Sequence, residues 1–333
     1  MNAVSSERSI GVSLGTAEVL GLAPASCDAP PTTAYLLMGG RCACNCGFCA
    51  QARTSRSRDD GLSRVTWPRH DEDATLRALH FAHAEGRISR ACLQVTAAPG
   101  TLTETERLVT SIRSHGDVPV CAAVLPRSLR DVERLLVAGA DLVGFGLDAA
   151  TPIVYERVKT PGSKRGHGQR AWRRQMALIE TSSRRFPKRI GVHLIVGLGE
   201  TERDLVQLTQ RLVDAGAVVA LFAFTPVRGT AMEGVPPPAL DIYRRCQAAR
   251  HLMTTGAARV ERFIFDQNGR ISGFGLPAGD ARGALSDGQA FRTSGCADCN
   301  RPYYNERPRG VMYNYPRPLN AAEIDAALAL LAL

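Results

Sequence analysis

Between residues 34 and 265, short β-rich runs alternate with amphipathic stretches of ten or more residues. The strand candidates are Ala34–Met38, Ala91–Thr96, Pro119–Val124, Leu142–Leu147, Arg189–Val196, Val218–Phe224 and Arg259–Phe265. Helical patterns separate them: Asp71–Glu85, Glu104–His115, Ser128–Ala138, Trp172–Phe186, Glu202–Ala215 and Leu240–Thr254. Strands alternate with helices of this length when parallel strands are joined by crossovers. Six or more such units predict an α/β fold of the (β/α) TIM-barrel type, partial or complete, with its chemistry on the loops after the strands. Residues 1–33, with Gly, Ser, Ala and Pro and little periodicity, read as an N-terminal strap, and residues 34–266 as the barrel core. After residue 265 the pattern degrades, so 267–333 read as a cysteine-containing C-terminal extension ending in the helix Ala321–Leu331.

The totals limit what such a chain does. With 44% hydrophobic and 22% charged residues over 333 positions, it is expected to be a soluble globular protein with a sizeable core. No apolar run approaches the ~20 residues of a membrane span. Glu7, Arg8 and Glu18 break up the N-terminus, which therefore does not read as a secretory signal. Ten cysteines, several in C-x2-C pairs, fit metal ligation in a reducing cytoplasm better than disulfides. The formal charge of +9 suits an acidic partner: nucleic acid, a carrier protein or an electron donor.

The first strand candidate runs directly into Cys42-Ala-Cys-Asn-Cys46-Gly-Phe-Cys49. Cys42, Cys46 and Cys49, spaced C-x3-C-x2-C, can converge on one soft metal centre, and three ligands on a four-iron cube leave one iron without a protein ligand. Zinc or reduced buried thiols are the alternatives. The spacing, with Phe48 before the last cysteine, resembles the radical S-adenosylmethionine (SAM) superfamily. That resemblance implies a [4Fe–4S] cluster whose open iron chelates the amino and carboxylate groups of SAM.

Three further strand ends are candidates for holding SAM. Val196-Gly-Leu-Gly-Glu-Thr201 reads as a tight strand-to-helix turn with open backbone amides. Together with Ile195 it resembles the adenine motif of biotin synthases, which implies packing by Ile195 and ribose support from the turn at Gly197 and Glu200. His193 departs from that motif, which often has glycine there. Asp148, at the end of Gly144-Phe-Gly-Leu-Asp148, resembles a SAM-pocket residue, with a helix N-cap as the other reading. Thr96 and Ala97 lie where the family binds the SAM amino group, without the usual Gly-Gly-Glu.

Biotin synthases hold another cluster inside the barrel through strand cysteines and an arginine. Cys121 matches such a position, Gly191 stands where a cysteine is expected, and Cys92 and Cys246 read as ordinary buried residues. This argues against a biotin synthase. Cys296 and Cys299 instead suggest a second [4Fe–4S] cluster with Cys27, with Ser294 or Cys44 as fourth ligand, or else a zinc site. The tail Cys-Ala-Asp-Cys-Asn-Arg-Pro-Tyr-Tyr-Asn-Glu-Arg-Pro, from Cys296, resembles the biotin-synthase-like subunits of two-protein, archaeal-type lipoyl synthases. The resemblance implies sulfur insertion into an octanoyl chain on a lipoyl carrier protein. It also implies a second radical SAM subunit and an electron donor such as ferredoxin or flavodoxin. The rivals are a biotin-synthase-like enzyme acting on a free small molecule without sulfur insertion, a tRNA methylthiolating enzyme, for which no extra terminal RNA-binding domain is seen, and a zinc-stabilised nucleic-acid-binding protein.

Overall fold

The computed structural model describes residues 8–307 and 309–331. In chain order the elements are β1 (Ser9–Val12), α1 (Leu14–Val19), β2 (Thr33–Met38), the small hairpin β3 (Gly61–Leu62) and β4 (Val65–Thr66), and β5 (Arg69–Asp71). Then follow α2 (Glu72–Ala84), β6 (Arg90–Val95), α3 (Thr101–Ser114), β7 (Val120–Val124), α4 (Leu129–Val137) and β8 (Leu142–Asp148). Next come α5 (Pro152–Lys159), α6 (His167–Arg185), β9 (Ile190–Val196), α7 (Glu202–Asp214), β10 (Val218–Ala223) and α8 (Leu240–Thr255). The remaining elements are β11 (Ile264–Phe265), β12 (Ile271–Gly273), α9 (Ala278–Leu285) and α10 (Ala321–Ala329).

One eight-stranded, mostly parallel sheet organises the chain, in the order β10-β9-β8-β7-β6-β2-β1-β5. The run from β10 to β2 is parallel throughout, while β1 lies antiparallel between β2 and β5. Strand periodicity sorts the side chains. Leu36, Leu93, Ala122, Phe145, Val192 and Val219 point outward into the core beneath the helices. Residues of the opposite phase, including Gln94, Gly146, Gly191, His193 and Ala220, face inward. Glycines and alanine at inward positions such as Gly146, Gly191 and Ala220 leave a cavity beside the larger Leu142, Ile195 and Val218.

Within the strap, β1 extends the sheet beyond β2. One expectation changes. Arg259–Phe265 is not a barrel strand: Val260–Arg262 forms a 3-10 turn, and β11 pairs only with β12, over a separate cluster containing Phe263 and Phe274.

The parallel run leaves β10 with a free edge, and the extension covers it. Leu221 N donates to Ser294 Oγ at 2.9 Å, Arg301 Nη2 donates to the Leu221 carbonyl at 3.3 Å, and Asn305 Nδ2 donates to the Ala223 carbonyl at 2.9 Å. Exposed edge groups are therefore satisfied by side chains rather than by another strand. Arg301 N also donates to the Tyr35 hydroxyl on β2, at 2.8 Å, so the extension bridges the first and last parallel strands. Buried Arg244 on α8 clamps its far end through the carbonyls of Met312 and Tyr313.

Candidate active site

Two groups of cysteines line this interior from different parts of the chain. The first is the loop after β2. Gly39 opens it with φ +85°, and a Cβ there would strike Thr96 Oγ1, so the turn into the loop requires glycine. The loop is tied down by Ala43 N to the Ala97 carbonyl (2.7 Å) and Gly47 N to the Val158 carbonyl (2.7 Å). Cys42, Cys44, Cys46 and Cys49 all line a cavity of about 500 Å³, together with Phe48, Thr96, Ala97, Asp148 and His193. Ala97 N and Cys44 N both donate to Cys42 Sγ, at 3.3 and 3.4 Å. A hydrogen bond from the Cys44 thiol, together with these amides, holds Cys42 down to about 6, while burial pushes Cys46 up and Cys49 up to about 12. Cys44 is held high by its contact with Cys42 and by burial.

Asp148 ends β8 with φ +65° and is ion-paired with Lys159, the last residue of α5. It is not a helix cap: Thr151 caps α5, accepting from Val154 N, and Pro152 occupies the first turn. Lys159 Nζ also donates to the Gly146 carbonyl at 2.7 Å and lies 5.9 Å from the Phe48 ring centre. Against the cost of burial, the charges of Asp148 and Cys46 keep it a firm cation. Nothing in the sequence pointed to Lys159, because α5 is short and opens on proline.

The glycine turn is closed. Glu200 reaches back to accept from Gly197 N (2.7 Å) and Leu198 N (3.1 Å), so the amides expected to be open are occupied by the chain's own carboxylate. Gly197, at φ +101°, packs against Pro238. Of this motif, Ile195 lines the interior.

The second group lies deeper. A cavity of about 190 Å³ is lined by Cys92, Cys296 and Cys299, with Leu142, Ala220 and Phe222 among its apolar walls. Cys92 and Cys121 are register partners on β6 and β7. Cys121 Sγ is 3.2 Å from Cys296 Sγ, and Cys299 Sγ is 3.2 Å from the Tyr35 hydroxyl. Gln94 Nε2 donates to Cys92 Sγ at 3.1 Å. Arg90 holds the Ala297 carbonyl at 2.7 Å, and its charge acts on all four thiols. The hydrogen bond from Cys121 lowers Cys296 to about 7 and lifts Cys121, while burial lifts Cys92 and Cys299.

This corrects the expected partners of Cys296 and Cys299. Cys27 is outside the group: its thiol donates to the Ala29 carbonyl at 3.1 Å, in a separate cleft with Pro302 and Tyr303. Tyr35 and Tyr304 line both that cleft and the inner cavity. Ser294 does line the inner cavity with Cys296 and Cys299, its Oγ receiving the β10 edge amide, whereas Cys44 belongs to the first group. The strand cysteines Cys92 and Cys121 stand where Cys27 and Cys44 were expected. Cys246 is buried on α8, away from both groups.

His193 on β9 lines both cavities and packs against Phe222, with ring centres 5.1 Å apart. Burial pushes its imidazole down to about 4, so it is neutral at ordinary pH. The Arg301 guanidinium lies over the other partner of that contact, 3.7 Å from the Phe222 ring centre. The site therefore joins two thiol groups through a largely apolar interior, with Lys159 beside the upper group and Arg90 and Arg301 beside the lower.

The family model of the radical SAM superfamily matches residues 36–212. The chain belongs to the radical SAM superfamily. It is thus an enzyme of a family that uses a [4Fe–4S] cluster and SAM. No curated protein sequence matches it. Among solved structures it is similar to methylornithine synthase (PylB), with a TM-score of 0.50 and 12% identity over 67% of this chain and 62% of that one. It is also similar to HydG, a maturase of the [FeFe]-hydrogenase (TM-score 0.54, 10% identity, 76% and 54% covered). HydG from Carboxydothermus hydrogenoformans matches at TM-score 0.52 and 16% identity, over 89% of this chain and 65% of that one. The chain spans less than two thirds of the length of each, and at these identities the likeness is one of fold. Among the described residues no three His, Cys, Asp or Glu side chains converge closely enough to hold a single metal ion. A four-iron cube is a larger body and takes thiolates set further apart.

Proposed function

We propose that this radical SAM enzyme inserts sulfur at an unactivated C–H bond of an aliphatic chain, and that the chain is an octanoyl group carried on a lipoyl carrier protein. The observation that carries this reading is the second thiol group, Cys92, Cys121, Cys296 and Cys299, at the inner end of the cavity that the SAM-type loop opens. Soft, buried thiols beside a fixed cation suit an iron–sulfur cluster in both places. Cys42, Cys46 and Cys49 would hold the first, which when bound supplies the electron that splits SAM into methionine and a 5′-deoxyadenosyl radical. The second group would hold the cluster that supplies the sulfur.

The protein's own residues have distinct tasks. Lys159 offers a cation beside Cys46, placed to meet a SAM carboxylate, and Asp148 holds that ammonium in position. Ile195 and Phe48 offer apolar surface to the adenosyl moiety. Leu142, Val218, Ala220 and Phe222 wall the inner cavity, exclude water and confine an alkyl chain between the two thiol groups. Tyr35 and Gln94 steady Cys299 and Cys92 through hydrogen bonds to their sulfurs.

The test is a single turnover under anaerobic conditions. Protein reconstituted with ³⁴S-sulfide is given SAM, a strong reductant and an octanoyl-lysine peptide. The reading predicts ³⁴S in the product and 5′-deoxyadenosine in solution. It is overturned if 5′-deoxyadenosine forms and the peptide gains no sulfur. Activity on a free small molecule that survives Cys296→Ala would support the rival without sulfur insertion.

A further inference from the structure

Four exposed arginines lie close in the chain to residues that line the inner cavity. Arg56 and Arg64 lie in the segment after the cysteine loop, Arg228 follows β10, and Arg307 belongs to the extension; all four are exposed. Each is within two residues of a group that lines the inner cavity or of the backbone tied to it: Arg64 follows Ser63, Arg228 follows Val227 and Arg307 follows Asn305. Three hydrogen bonds join these segments into one surface. Arg56 N donates to the Gly229 carbonyl at 2.8 Å, Ser57 Oγ to the Arg228 carbonyl at 2.5 Å, and Ser63 Oγ to the Tyr304 carbonyl at 2.7 Å.

The acids near these arginines have other partners, exposed Glu233 among them, which accepts from Gly229 N. Asp59 pairs with Arg41 and Asp60 with Arg58, while buried Glu306 accepts from Asn314 and Asn305. Among the described residues the four arginines have no carboxylate partner. Arg64 and Arg307 crowd each other: partial burial and the second charge both push the Arg64 guanidinium down. Like charges held together on tied segments, in no ion pair of their own and with buried Glu306 opposing them only at Arg64, are relieved by an anionic partner.

The surroundings favour a protein over RNA. Single-stranded RNA is gripped by stacking bases on exposed aromatic rings. The one large aromatic side chain exposed among the described residues, Phe81, is on α2, whereas Val311 and Val235 are the exposed apolar groups on the extension and on the segment after Arg228. Exposed aliphatic groups on the same segments as Arg228 and Arg307 suit a protein-binding surface.

We propose that Arg56, Arg64, Arg228 and Arg307 form the docking site for an acidic protein domain, which presents its modified side chain to the cavity from this rim. The identity of that side chain rests on the sulfur-insertion reading; the docking site does not.

The test measures binding of an octanoylated lipoyl carrier domain to the reconstituted enzyme over a salt series, by fluorescence anisotropy. The triple variant Arg56→Glu/Arg64→Glu/Arg307→Glu is expected to bind on the order of 100-fold more weakly at low salt, with a flatter salt dependence. The matching triple lysine variant keeps most of the affinity. Both variants should keep the wild-type iron content and SAM cleavage, which shows that they fold. Unchanged affinity in the glutamate variant overturns the proposal, as does salt-independent binding by the wild type. So does a single-stranded RNA oligonucleotide that binds more tightly and displaces the domain. If the free peptide gains sulfur and the domain fails to bind, docking is wrong and the sulfur reading stands. If the domain binds through these arginines and no sulfur is inserted, docking stands and the sulfur reading falls.

Discussion

The Asp148–Lys159 pair should behave as a buried ion pair whose halves cannot be removed singly. Its side chains are only 12% and 10% exposed, and the ammonium has one further oxygen acceptor, the Gly146 carbonyl. Asp148→Asn leaves a buried cation without its counter-charge, which costs about 3 kcal/mol. For a chain of this length that lowers Tm by about 4 °C. Lys159→Met strands the carboxylate at a similar cost, whereas the double variant removes both charges and should lie within about 1 kcal/mol of the parent. The assay is thermal unfolding by circular dichroism on anaerobically reconstituted protein, without SAM, for all four members of the cycle. Lys159 has its folded value raised above the ordinary 10.5, so its contribution is complete below that pH and is lost only as pH rises through the folded value. The cycle should therefore give the same coupling at pH 7 and pH 9. Additive single effects, or a double variant as unstable as the sum of the two, would refute the description of the pair.

Other outcomes follow from the same geometry. Ser294→Ala strands the Leu221 edge amide and should cost about 1–3 kcal/mol in thermal unfolding, with iron content unchanged; lost iron at unchanged Tm would make Ser294 a ligand after all. Cys27→Ala should leave iron and sulfide content at the parental level, as elemental analysis would check. His193 is depressed from 6.5 to about 4, so the unfolded chain binds the extra proton first as pH falls through that window. Stability should thus fall from pH 6.5 towards 4 by up to about 3 kcal/mol, and His193→Phe should flatten that slope in chemical denaturation.

The barrel was legible because each strand and crossover helix carries its own periodicity. The six strands from Thr33–Met38 to Val218–Ala223 fall within a residue or two of where the apolar runs place them. Shorter pieces were not legible. β1 has four residues, too few to show an alternation, and its place in the sheet comes from pairing with β2 and β5. Arg259–Phe265 holds the β-prone residues Val260, Phe263, Ile264 and Phe265, but Val260, Phe263 and Phe265 serve the cluster beneath the extension.

The site divides in the same way. Cys42, Cys46 and Cys49 announce themselves because their spacing is local. The second group joins two neighbouring strands to a segment 175 residues further along, between Cys121 and Cys296, and no local pattern encodes that meeting. A signal was present in Cys92-x-Gln94: two polarisable residues at the inward phase of a strand whose other face is Ala91 and Leu93. Reading that phase would have taken Cys92 out of the ordinary core. Lys159 could not be paired with Asp148 before α5 was known to fold back over the end of β8.

The central claim is that one barrel holds two iron–sulfur sites, the inner one built by Cys92, Cys121, Cys296 and Cys299. Iron and acid-labile sulfide counted on anaerobically reconstituted parent and on Cys121→Ala test it most directly. The account predicts about eight irons per chain falling to about four, with SAM cleavage retained by the remaining cluster. About four irons in both proteins would contradict it.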